Sequence, residues 1–136
     1  MTSHRLVNPS QLGTPSGFSH GVLESPGKRL HIAGQTGTGA VRRDLVEQFR
    51  KACLAVLSVI EEAGGSAGDL TSMVIYCTDI PAYRARLSEI GVAYRAVFGR
   101  HYPAMALIGV AELFEEAAVV ELVCTATIPD PAESLG

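Results

Sequence analysis

Residues 43–79 read RDLVEQFRKACLAVLSVIEEAGGSAGDLTSMVIYCTD, and the hydrophobic period changes inside this stretch. Between Arg43 and Ala63 the apolar positions Leu45, Phe49, Ala52, Cys53, Val56, Ile60 and Ala63 recur at three- and four-residue steps, while Glu47, Arg50, Lys51 and Glu61 fall elsewhere. That spacing predicts an amphipathic helix of about five turns, stopped by Gly64-Gly65. From Leu70 to Thr78 the run is short and apolar, as in a strand. Asp79 then offers an N-cap, with Pro81 in the first turn of a second helix that runs to about Phe98 before Gly99. The apolar stripe of that helix is Tyr83, Leu87, Ile90, Tyr94 and Val97.

Outward from this centre, short apolar segments bounded by turn residues predict strands at Phe18 to Leu23, Arg29 to Ala33, Met105 to Val110 and Ala118 to Thr127. A further short strand is expected at Arg5 to Val7, and Lys28 falls in the Ser25-Pro26-Gly27 turn. The order of elements points to an α+β fold: a mixed sheet of about six strands covered on one face by two helices. The bare face then needs a partner. Residues 1–136 read as one domain with its core over about 8–128 and a flexible tail from Pro129.

A chain of 136 residues removes roughly two-thirds of its unfolded surface from water on folding, enough for a core without staples. Hydrophobic residues make up 47% and charged residues 18%, which leaves surplus apolar surface for burial between subunits. A net charge of −3, with no basic cluster longer than a pair such as Arg42-Arg43, argues against nucleic-acid binding. Met1 to Leu12 lacks the apolar stretch of a secretory signal, and no run is long enough to span a bilayer. Cys53, Cys77 and Cys124 are odd in number and widely spaced, so they read as small core residues in a reducing, cytoplasmic compartment.

Several stretches could carry chemistry. Gly34 to Gly39 places three glycines between a strand and a helix, but it lacks the Lys-Ser/Thr of a phosphate loop, and Arg42 occupies the third glycine position of a dinucleotide fingerprint. It reads as a turn whose glycines take positive φ. His4, His20, His31 and His101 share no helix face at ligand spacing, so neither a metal nor another cofactor is expected. His31 alternates with Leu30 and Ile32 as an exposed or edge residue. His20 opens a strand in a small-residue stretch. No serine stands in a Gly-x-Ser-x-Gly elbow. Glu121 interrupts the apolar run 117–124, where a carboxylate must be bonded, paired or functional because desolvating a free charge is costly.

Six segments, in order, carry a resemblance: Gly17-Phe18-Ser19-His20-Gly21-Val22, Ala33-Gly34-Gln35, Glu62-Ala63-Gly64-Gly65-Ser66, Val74-Ile75-Tyr76-Cys77-Thr78-Asp79, Tyr102-Pro103-Ala104 and Val119-Val120-Glu121-Leu122. The chain resembles the Rid family, also called the YjgF or L-PSP endoribonuclease family, from about Asn8 to Ile128. The resemblance implies a chorismate-mutase-like fold, a homotrimer with a central barrel, and small-molecule clefts between subunits. It also implies hydrolysis of reactive enamines or imines, in which an arginine clamps the substrate carboxylate.

Residue by residue the match to that active branch departs. Met105 follows Pro103-Ala104 where the arginine is expected, Phe18 replaces a tyrosine, Ala33 a serine, Gly91 an asparagine and Leu107 a cysteine. Glu121 persists at the position associated with activating water. The resemblance therefore implies Glu121 and His20 as catalytic groups, and Phe18, Ala33, Gly34, Gln35, Gly91, Met105 and Leu107 as substrate-binding residues. The expected function is hydrolysis of an enamine, imine or related metabolite other than 2-aminoacrylate, in a pocket suited to a larger, less charged ligand. A non-enzymatic metabolite sensor is the alternative, and an endoribonuclease a third reading that the charge balance disfavours.

Overall fold

The computed structural model describes residues 2–39 and 44–131; the Arg42-Arg43 pair lies outside them. Among the described residues six strands form, β1 (Arg5–Val7), β2 (Gly21–Leu23), β3 (Gly27–Thr36), β4 (Leu70–Cys77), β5 (Ala104–Gly109) and β6 (Val120–Pro129). Three helices join them: α1 (Leu45–Glu62) between β3 and β4, then α2 (Ile80–Ala85) and α3 (Leu87–Phe98) between β4 and β5.

The strands do not share one sheet. β3, β6, β4 and β5 form a four-stranded sheet in that order, and β1 and β2 pair separately as a two-stranded ribbon. β4 and β5 are parallel and the other pairings antiparallel, so the main sheet is mixed. The expected first strand shortens because Phe18 to His20 leaves β2 and docks beside β5, where Ser19 bridges Ala104. Lys28 is not in a turn: it pairs with Ile128 inside β3. Pro129 is likewise paired, with Gly27, and the Asp130 N–H donates to the Pro26 carbonyl, so the ordered chain runs past the expected start of the tail.

Helix α1 starts where Asp44 accepts a hydrogen bond from the Glu47 N–H at 2.9 Å and ends at Ala63, with Gly64 at φ +88° turning the chain. Asp79 caps α2 by accepting from the Ala82 N–H at 3.0 Å. The second helix is broken at Arg86, whose ψ of 26° departs from helical geometry. Its guanidinium spans Glu89 at 2.8 Å and Asp44 at 3.3 Å, tying the break to the start of α1.

Alternation along the strands sends one set of side chains to the helices. Phe49, Cys53, Val56 and Ile60 of α1, with Ile90, Tyr94 and Phe98 of α3, bury against Met73, Ile75 and Cys77 of β4 and Leu122, Cys124 and Ala126 of β6. All three cysteines are buried free thiols, and burial pushes the Cys124 thiol up to about 12. The opposite set, including Val74, Tyr76, Ile108, Glu121 and Val123, lies on the face without helices, where Ile108 is 43% and Val123 36% exposed.

Candidate functional site

A cleft of about 500 Å³ opens between α3 and the β5 edge of the sheet. Its walls carry Tyr83 from α2, Ile90, Gly91 and Tyr94 from α3, and Tyr102 and Met105 from the chain entering β5. Tyr94 and Tyr102 stack with ring centroids 5.4 Å apart, and the Tyr94 hydroxyl donates to the His101 carbonyl at 2.6 Å. The His101 Nε2–H donates in turn to the Leu70 carbonyl at 2.6 Å. Burial drives the His101 pKa below its ordinary value, which keeps the ring neutral for this role. The aromatic wall is therefore anchored to the start of β4. Arg95 and Arg100 complete the lining, and Ser16 and Gly17 cover one end.

The covering segment is held by Ser19. Its N–H donates to the Pro103 carbonyl at 3.0 Å and its hydroxyl to the Tyr102 carbonyl at 2.6 Å. Gly17, at φ +77°, makes the turn that precedes it. The Phe18 and His20 rings meet edge to face at 5.1 Å, and the His20 N–H donates to Asn8 Oδ1 at 2.7 Å. His20 Nε2 is buried without a hydrogen-bond partner.

Glu121 sits elsewhere. It lies on β6 between Thr36 of β3 and Tyr76 of β4. Register slips between Ile32 and Gln35, where three steps along β3 match two along β6, so a bulge stands at Ala33-Gly34. The Gln35 amide folds back to donate to the Ala33 carbonyl at 3.1 Å. A Cβ at Gly34 would collide with the Glu121 carboxylate. The expected positive-φ turn is absent, since neither Gly34, Gly37 nor Gly39 has positive φ. Gly37 is required instead by the Gln48 backbone, which leaves no space for a side chain.

The sequence-derived site residues thus separate within one chain. Gly91 and Met105 line the cleft, with Phe18 and His20 beside it. Leu107 follows Met105 along β5 at 38% exposure, outside the cleft lining. Ala33, Gly34, Gln35 and Glu121 form a second group. Met105 pairs with Met73, whereas Glu121 lies level with Ile108, three residues further along β5. Two strand spacings across and three residues along place the two groups roughly 14 Å apart, and the odd offset puts them on opposite faces of the sheet. Sequence reasoning missed Arg95, Arg100, Tyr94 and Tyr102 as cleft residues. The available signal was Gly91, because a glycine inside a helix costs stability and calls for a packing reason.

Residues 9–128 match the family described as Endoribonuclease L-PSP. The chain belongs to the Rid/YjgF family. Among Rid/YjgF relatives, a conserved Rid protein of unknown function from Yersinia pestis has a structure that superposes with a TM-score of 0.81 at 29% identity, covering 93% of this chain and 100% of that one. A YjgF/YER057c/UK114 family member from Mycobacterium tuberculosis gives a TM-score of 0.63 at 27% identity over the same shares of the two chains. A RutC family protein of Pyrococcus abyssi is 28% identical over 98 residues, 68% of this chain and 74% of its own. The α+β fold is accordingly the chorismate-mutase-like fold of these Rid/YjgF structures. No helix among the described residues is long and apolar enough to cross a membrane.

Proposed function

We propose that this Rid/YjgF protein is a hydrolase of small enamines or imines other than 2-aminoacrylate, working in clefts completed between copies of a homotrimer. The observation that carries the reading is the division of the site. The cleft with Met105 offers binding surface but no carboxylate, while Glu121 stands on the other face, outside the lining of that cleft. A sheet with one bare face and an exposed β5 edge can unite the two groups by bringing the Glu121 face of one copy to the cleft of the next.

In that arrangement the cleft holds the ligand and Glu121 holds or deprotonates the attacking water. Water adds to the imine carbon, the tetrahedral adduct loses ammonia, and a carbonyl compound remains. His20, whose Nε2 is buried and unbonded, is the group proposed to relay the proton to the leaving nitrogen. Three reduced, buried thiols suit a cytoplasmic setting. The test is ammonia release from imines generated in situ by an amino-acid oxidase, comparing wild type with Glu121→Gln. Activity that falls at least about a hundredfold in the variant supports the reading. Equal activity refutes it. Binding without turnover by wild type favours a sensor, consistent with a cleft lining that lacks a carboxylate or histidine.

A further inference from the structure

We propose that Arg95, with Arg100 on the same cleft, forms an anion subsite, so that the ligand is an organic carboxylate carrying a bulky apolar or aromatic group. This deepens the reading above and rests on it for the choice of carboxylate over phosphate, because hydrolysis of an amino-acid-derived imine yields a 2-keto acid. Three observations carry the proposal.

Arg95 is folded across Gly91. Its Nη1 lies 3.1 Å from where a Cβ on Gly91 would stand, so any side chain at 91 would crowd the guanidinium. The helix dipole accounts for an arginine in the last turn of α3, but that role needs the charge near the final carbonyls. Here the charge is carried one turn back, into the cleft lining.

Both guanidiniums are also free to take a ligand. Arg29, Arg50 and Arg86 each hold a carboxylate, whereas Arg95 and Arg100, both exposed, form no ion pair or side-chain hydrogen bond among the described residues and, unlike the similarly unpaired Arg5 and Arg84, line the cleft. No carboxylate lines the cleft. Two exposed cations beside a mostly aromatic and aliphatic wall exceed the single carboxylate that a neighbouring copy would bring, so a net positive potential remains, and low-dielectric walls focus it on an entering anion.

The third observation is size. A cleft of about 500 Å³ admits far more than a two- or three-carbon acid, and Tyr94, Tyr102, Ile90 and Met105 supply a surface suited to an aromatic or branched group. The cleft is thus more cationic than Phe18, Ala33, Met105 and Leu107 suggest on their own. The expected ligand keeps its carboxylate but is held by it from the helix side.

Calorimetric titration with phenylpyruvate, its uncharged analogue phenylacetone, and inorganic phosphate tests this on wild type, Arg95→Gln and Glu121→Gln. Phenylpyruvate should bind wild type at least about tenfold more tightly than phenylacetone, the scale of one charge-assisted hydrogen bond. Arg95→Gln should erase that difference while leaving phenylacetone affinity unchanged, which also shows that the variant is folded. Glu121→Gln should still prefer phenylpyruvate over phenylacetone, because the preference is assigned to Arg95 and not to Glu121. Equal affinities for the two organic ligands, an Arg95→Gln variant that still prefers phenylpyruvate, absence of phenylpyruvate binding, or tighter binding of phosphate would each overturn the proposal. Arg95-dependent binding with no imine turnover would sustain the subsite and defeat the hydrolase reading. Turnover indifferent to Arg95 would do the reverse.

Discussion

Gly34 lies so close to Glu121 that a Cβ at position 34 would meet the carboxylate oxygen Oε2. With φ not positive, the glycine serves the side chain of its neighbour and not a special backbone conformation. The bulge at Ala33-Gly34 thereby makes room for a carboxylate on a strand that holds no other charged residue. Gly34→Ala should displace the Glu121 side chain, lower ammonia release at least about tenfold, and change the melting temperature by only a few degrees. Parallel melts and activity assays check this. Unchanged activity would separate Glu121 from the chemistry.

Helix α1 and the strands were legible because their periods differ, and burial follows those periods closely from Leu45 to Ile60 and from Leu70 to Cys77. Less legible was the division into two sheets, because pairing partners depend on where Ser19 docks, and that is a hydrogen-bond choice made in three dimensions. The break at Arg86 was hidden for a similar reason: nothing in Arg84-Ala85-Arg86-Leu87 stops a helix locally. At the site, motif positions located Gly91, Met105 and Glu121 along the chain. Their separation onto two faces appears only when register is known.

Gln48 shows a structural role that its polarity alone conceals. Fully buried on α1, it donates from Nε2 to the Ala117 carbonyl and accepts the Val119 N–H at Oε1, each at 2.9 Å, fixing the chain as it enters β6. Gln48→Leu should cost about 1–3 kcal/mol, because it removes two hydrogen bonds that hold the chain entering β6. Guanidinium denaturation reads this directly, and a midpoint equal to wild type would contradict it.

Acid sensitivity should involve Asp44. The Glu47 N–H, then Arg86, hold its carboxyl below the ordinary value. The folded pKa is therefore lower than the unfolded one, so the stabilisation is complete above the unfolded pKa of about 4 and is lost as pH falls through the folded value. Asp44→Asn preserves the cap and should differ from wild type by less than about 1 kcal/mol at neutral pH, as expected for an exposed pair. That difference should vanish by about pH 2. Asp44→Ala should lose about 1 kcal/mol across the range through the missing cap.

The bare face of the sheet makes a separate prediction about assembly. Ile108, level with Tyr76 and Glu121, is 43% exposed on the edge strand. Ile108→Glu places a charge on the surface proposed to meet neighbouring copies and should yield monomers by light scattering. Leu54→Glu, at a 41% exposed position on α1, should leave the proposed trimer intact. A monomeric wild type at micromolar concentration would refute the assembly.

Met105→Arg restores the group that the resemblance expects after Pro103-Ala104, yet it should not by itself confer activity on 2-aminoacrylate. Met105 opens into the cleft that Arg95 and Arg100 already line, and no carboxylate of the same chain lines it to balance a third guanidinium. Glu121 of the same chain is on the opposite face, and a Glu121 brought by a neighbouring copy would pair with the new charge and be lost to water activation. Repulsion and desolvation should therefore lower stability and drive the guanidinium away from a carboxylate-clamping position. Adding Arg95→Gln should recover the lost stability by removing the like charge. Adding Ala33→Ser and Phe18→Tyr to Met105→Arg should be needed for measurable 2-aminoacrylate hydrolysis, because positioned groups act as a unit and their effects are not additive. Side-by-side ammonia-release assays with an arginine-bearing relative decide the matter, after light scattering has shown each variant to be assembled like wild type. If the single substitution reached the relative's rate, the cleft would already be organised for the small imine, and the case for a bulkier ligand would fail.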